Sequence, residues 1–106
     1  MAIDQPARRR RVTVAELRTR RAELVRIGER YGISNIRVFG SVARDEADSD
    51  SDLDLLVDVA PGRGYFDMAG FALDVEQLLG VYTEVATVRG LKARIRDRVA
   101  AEAIRL

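Results

Sequence analysis

Gly40-Ser41 and the pair Asp52 and Asp54 are the residues of this chain best suited to chemistry, and ten residues separate Ser41 from Asp52. An apolar run leads into the first feature, through Ile36, Val38 and Phe39, and a second surrounds the carboxylates, through Leu53, Leu55 and Val57. Side chains alternate faces along a strand, so Asp52 and Asp54 project together while Leu53, Leu55 and Val57 project into a core. Two carboxylates held that close repel each other unless a cation lies between them. A divalent ion removes the repulsion and keeps positions open for phosphate oxygens and water. Two such ions clamp the attacking and leaving oxygens of an in-line displacement. Gly40 lets the backbone approach a ligand closely, and Ser41 adds a hydroxyl and an N–H at a helix start, a position that favours phosphate. Arg44, one turn on, is within reach of a phosphate oxygen or of the acidic loop that follows. A turn for a polyphosphate beside a paired-carboxylate metal site is the equipment for moving a nucleotidyl group. Each half alone is a weak signal, since most Gly-Ser pairs are only turns; the conjunction is specific.

The elements that must position these residues follow from the pattern around them. Thr13 opens a capping box with Glu16, and Val14, Leu17, Leu24, Ile27 and Tyr31 recur at helical spacing up to Gly32. This predicts one helix ended by that glycine. Asn35 to Phe39 reads as a short strand, followed by a brief helical stretch through Ala43 and Arg44. Asp45 to Ser51 is nearly all polar and reads as a loop. Leu53 to Val59 reads as a second strand closed by Pro61-Gly62. Phe71, Val75, Leu78 and Leu79 place a helix over Phe66 to Leu79 with Gly80 as its stop. Val81 to Val88 reads as a third strand, and Leu91, Ile95 and Val99 mark a last helix. The order α-β-(α)-β-α-β-α is that of an α/β sandwich, a small mixed sheet with helices packed against it. One domain over residues 12–106 is expected, preceded by a flexible basic arm, residues 1–11, that carries Arg8 to Arg11.

Composition narrows the chemistry. The chain has 106 residues, 47% hydrophobic and 33% charged, enough for one core and too apolar for disorder. No apolar run approaches membrane-spanning length and no signal-peptide pattern opens the chain, so the cytoplasm is the expected compartment. It has neither cysteine nor histidine, which removes disulfides, thiolate metal sites, the usual general base and most zinc chemistry. A metal must then be a hard cation on oxygen ligands, Mg²⁺ or Mn²⁺. Net charge is +1, but residues 1–40 carry +6, residues 41–80 carry −8 and residues 81–106 carry +3. The acidic charge is thus concentrated around one segment, with flanks basic enough to attract a nucleotide. Asp48, Asp50, Asp52 and Asp54 also alternate as in an EF-hand loop. That loop needs Gly sixth and Glu twelfth, where a start at Asp48 gives Leu53 and Val59 and a start at Asp50 gives Leu55 and Pro61. Asp48 and Asp50 read as loop solvation, Asp58 lies too far along the strand, Tyr65 and Tyr82 read as packing residues, and Arg63 reads as a loop cation.

Phe39-Gly40-Ser41-Val42-Ala43-Arg44 through Ser51-Asp52-Leu53-Asp54-Leu55-Leu56-Val57 resembles the signature of the minimal nucleotidyltransferases, small members of the polymerase-beta-like superfamily. By that resemblance Gly40 and Ser41 hold the triphosphate of ATP, and Asp52 and Asp54 bind Mg²⁺. The family's third carboxylate falls on Glu84, where Asp is usual. Asp45 is a second departure, since a Gly often follows the Arg. The resemblance implies AMP transfer from Mg-ATP to a hydroxyl, with Glu84 receiving the proton. It also implies a partner, a small helical HEPN-domain ribonuclease that such proteins, as antitoxins in a type VII-like arrangement, adenylylate on a tyrosine. Two other readings stand beside it: an antitoxin that neutralises its partner by contact alone, and nucleotide transfer to a small molecule or to RNA, for which the Arg8 to Arg11 arm is the only support.

Overall fold

The computed structural model describes residues 10–106. Arg8 and Arg9 of the expected arm lie outside these residues. Arg10 and Arg11 lie within them: Arg10 Nε donates to the Leu79 carbonyl at 2.8 Å, its Nη2 meets Glu16 Oε2 at 2.6 Å, and Arg11 pairs with Asp45 at 3.2 Å.

The first helical stretch is two helices, α1 (Val14–Thr19) and α2 (Arg21–Tyr31), joined at Arg20 (φ −104°, ψ 13°). Apolar spacing predicted one helix because a single non-helical residue barely disturbs the period. Thr19 closes α1 by turning its hydroxyl back onto the Glu16 carbonyl at 2.7 Å, a bond that competes with helix continuation. Thr13 Oγ1 accepts from Glu16 N–H at 3.1 Å, as the capping pattern predicted, while the Glu16 carboxylate serves Arg10.

β1 (Ile33–Phe39) runs into α3 (Gly40–Ala43), and β2 (Leu53–Val59) follows the acidic loop. After them come α4 (Tyr65–Leu79), β3 (Thr83–Ala86), α5 (Ala93–Glu102) and β4 (Ile104–Arg105). The sheet order is β3-β2-β1-β4. β1 is antiparallel to β2 and β4, and β2 is parallel to β3 across the α4 crossover, so the sheet is mixed as expected. β3 is shorter than predicted, and β4, two residues long, went unseen in the sequence.

The core lies between the sheet and the α2–α4 layer. Phe71, Val75 and Leu79 of α4 meet Leu24 and Ile27 of α2 and Val38, Leu53, Leu55 and Val57 of the sheet, all buried. Each such side chain contributes roughly 1.5–3 kcal/mol of burial. α2 and α4 approach closely because position 70 has no side chain: a Cβ on Gly70 would lie 2.5 Å from the Tyr31 ring. The Tyr31 hydroxyl then donates to Asp74 at 2.8 Å. Among the described residues no helix is long and apolar enough to cross a membrane.

Candidate active site

Gly40 begins α3 with φ +74°, a left-handed conformation that favours glycine. Space demands glycine as well, because a Cβ there would collide with Asp54 Oδ2. The turn and the carboxylate were linked in the sequence only by spacing; in the fold they touch. The β1–β2 register sets this up by placing Phe39 opposite Asp54.

The parallel β2–β3 register places Asp54 opposite Glu84. Asp54 is half-buried and Glu84 exposed. Burial first, then the charge and hydrogen bond of Glu84, push the Asp54 carboxyl up to about 7; Asp52 adds to the rise and Arg44 opposes it. Asp52 stands just before β2, half-buried, rather than within the strand. Among the described residues no three acidic side chains are drawn together closely enough to form a metal-binding group as they stand. The donor chemistry nevertheless suits a hard divalent ion: the oxygens are carboxylate, and Asp54 sits where repulsion from its neighbours would be relieved by positive charge.

Arg44 takes the bracing role rather than pointing at an open turn. Its Nε donates to Glu46 at 2.7 Å and its Nη1 lies 3.3 Å from both oxygens of Glu102. Glu102 also accepts from the Gly40 N–H at 3.0 Å. Nothing in the sequence marked Glu102, which lies 62 residues from Gly40 at the end of a helix legible only by its apolar face. Asp45 adopts φ +57°, which explains why glycine suits that position. Asp58 is drawn away from the site by Asn35 and Arg37, and Arg63 binds Asp67. Tyr65 and Tyr82 are not core packing residues. They are 78% and 43% exposed, and Tyr65 stacks edge-on against the exposed Phe66 with ring centroids 5.9 Å apart.

A strand, a Gly-Ser turn and a carboxylate-bearing second strand lie within the span, residues 18–106, that matches the nucleotidyltransferase domain family. This chain belongs to that family. It is a nucleotidyltransferase, and relatives support the assignment. A candidate protein adenylyltransferase of Methanocaldococcus jannaschii is 31% identical over 75 residues, which cover 71% of this chain and 81% of that protein. The protein adenylyltransferase MntA of Thermococcus cleftensis is 36% identical over 76 residues, covering 72% and 77%. Among solved structures, a candidate minimal nucleotidyltransferase superposes with a TM-score of 0.78 at 46% identity, covering 90% of this nucleotidyltransferase and 97% of that chain. A toxin–antitoxin structure with AMP-PNP superposes with a TM-score of 0.66 at 15% identity, covering 79% and 69%, and shows the shared fold alone.

Proposed function

We propose that this nucleotidyltransferase moves AMP from ATP to a hydroxyl of a toxin partner, and so acts as an antitoxin. The observation that carries the reading is Asp54, which lies against Gly40 of the Gly40-Ser41 turn and stands in register with Glu84. Relatives named protein adenylyltransferase and a shared fold solved as a toxin–antitoxin with AMP-PNP support the reaction class and the kind of partner. The resemblance supplies the finer assignment, a HEPN-domain toxin modified on a tyrosine. ATP as substrate suits a cytoplasmic site of action.

Asp52, Asp54 and Glu84 would hold Mg²⁺ or Mn²⁺, which when bound supplies positive charge against phosphate oxygens. Gly40 keeps the backbone low enough for a polyphosphate to approach, and the Ser41 hydroxyl and N–H anchor its terminal phosphates. The acceptor oxygen bonds to the α-phosphorus as the bond to pyrophosphate breaks. The hydroxyl proton passes to Glu84, the most exposed of the three acids, or into solvent beside it. Arg44 braces the turn and lowers the cost of charge on Asp54.

Intact-protein mass spectrometry of a HEPN-type partner mixed with this chain, Mg²⁺ and ATP tests the proposal. Whole AMP increments with the wild type, absent with Asp52→Ala/Asp54→Ala, are expected; equal increments with the double mutant would remove the mechanism. A second reading, neutralisation by contact alone, draws support from Glu84 in place of Asp. Under it, the double mutant still neutralises the partner and neither protein gains mass.

A further inference from the structure

The antiparallel pairing of β1 with β4 sets Val38 opposite Ile104. Gly40 opens α3 two residues after Val38, and Glu102 ends α5 two residues before Ile104, so the pairing draws these two helix ends together. There the Gly40 N–H donates to Glu102 Oε1 at 3.0 Å. The amide at the start of a helix has no partner within it, and here a carboxylate supplies one. The same carboxylate holds Arg44 Nη1 at 3.3 Å through both oxygens. Gly40 and Arg44 flank Ser41, so one side chain grips the turn on both sides. It is also sheltered: the Glu102 side chain is 20% exposed, against 64% for Glu46, the other partner of Arg44.

We infer that Glu102 is a positioning residue for the nucleotide site, acting through the Gly40-Ser41 turn without touching substrate. This rests on the reading of that turn as the phosphate anchor. Glycine populates negative φ about as readily as positive, so nothing intrinsic to Gly40 holds its φ at +74°. Relaxation would carry Ser41 away from its phosphate and would change the space that Asp54 Oδ2 occupies. The carboxylate of Glu102 prevents it by a charge-assisted hydrogen bond. Its charge is spent on Arg44, so it opposes an incoming polyphosphate less than a lone carboxylate would. The end of α5 is thereby part of the site, although the sequence signature lies wholly between Phe39 and Val57.

The test is Mg-ATP affinity by calorimetry, with the Gly40 amide followed by NMR in the nucleotide-free protein. Glu102→Ala is expected to weaken Mg-ATP at least about tenfold, equivalent to ~1.4 kcal/mol, and to shift the Gly40 amide and speed its exchange. Glu102→Gln keeps an oxygen acceptor for the Gly40 N–H and should restore affinity to within about threefold of wild type, ~0.7 kcal/mol. If Glu102→Ala does not fold, Glu102→Asp decides: its side chain is one methylene short and should weaken Mg-ATP. Unchanged or tighter binding in the Ala or Asp variant, while Ser41→Ala weakens it, overturns the inference and leaves the phosphate turn standing. Unchanged binding in Ser41→Ala as well removes the phosphate-turn reading and this inference with it.

Discussion

Gly40 and Asp54 share one volume: a Cβ on the glycine would overlap Oδ2 of the aspartate. The carboxylate that most needs a cation therefore depends on the absence of a side chain fourteen positions earlier in the chain. Gly40→Ala is expected to act twice. The left-handed φ of +74° costs an L-residue roughly 1–2 kcal/mol of stability. Displacement of Asp54 should lower nucleotide transfer by about a hundredfold, the scale of a 1 Å misplacement. Thermal melting and single-turnover transfer read the two effects separately; full transfer by a folded Gly40→Ala protein would break the link between turn and carboxylate.

The raised titration of Asp54 has a definite sign for stability. Its carboxyl titrates at about 7 when folded and near 3.8 when unfolded, chiefly because of burial and then Glu84. Below the lower value both states are protonated and nothing is lost. Between the two values the folded state binds the proton more tightly, so stability falls as pH rises, and the whole penalty is present above 7. Solvent reaching the half-buried group screens part of it. In EDTA, Asp54→Asn should thus raise Tm at pH 8 by at least about 4 °C, the scale of 1 kcal/mol in a domain this size. At pH 4 it should change Tm little. Mg²⁺ at pH 8 should stabilise the wild type and leave Asp54→Asn unmoved.

Asp45 turns the chain with φ +57° immediately after Arg44. A short polar side chain tolerates that conformation better than a branched one. Asp45→Gly should match or slightly exceed wild-type stability, whereas Asp45→Val should lose about 1–2 kcal/mol. Urea melts of the three proteins check this, and equal midpoints would remove strain as the explanation. The Arg11 pair lost in both variants is exposed and contributes little.

Gly70 offers a control that separates folding from chemistry. A Cβ at that position meets the Tyr31 ring at 2.5 Å, on the α2–α4 side of the molecule. Gly70→Ala should cost about 1–3 kcal/mol through overpacking while transfer per folded molecule holds near wild type. A loss of transfer larger than the loss of folded protein would mean that helix packing is coupled to the site.

Much of this was legible in the sequence, and for physical reasons. Leu53 to Val59 was found to the residue because a short apolar run between a polar loop and a bounding Pro-Gly leaves little freedom for its ends. α4 was found because Phe71, Val75 and Leu79 share one helical face, and Gly80 ends it with φ +70°. The nearness of the Gly-Ser turn to Asp54 was legible only as a short spacing between residue types, and the fold turns that spacing into contact. The break at Arg20 was not legible, since one residue out of helical geometry leaves the apolar period almost intact. Nor was β4, because two residues carry no alternation to read. Glu102 depends on β4, so it was hidden for the same reason. Tyr65 was misjudged because an aromatic at a helix start reads as core when nothing in the sequence tells which way that first turn faces.

β2 and β3 run parallel, so the whole of α4 must be wound between them before Asp54 and Glu84 stand side by side. Pairings at that sequence separation form late, after nearer contacts have offset the cost of closing the loop. On that expectation, the repulsion between the two acids is felt only as the chain finishes folding. Neutralising either one should leave the folding rate nearly unchanged and slow unfolding instead. What the acidic pair governs is how long the native molecule lasts, and a cation seated there would lengthen that lifetime.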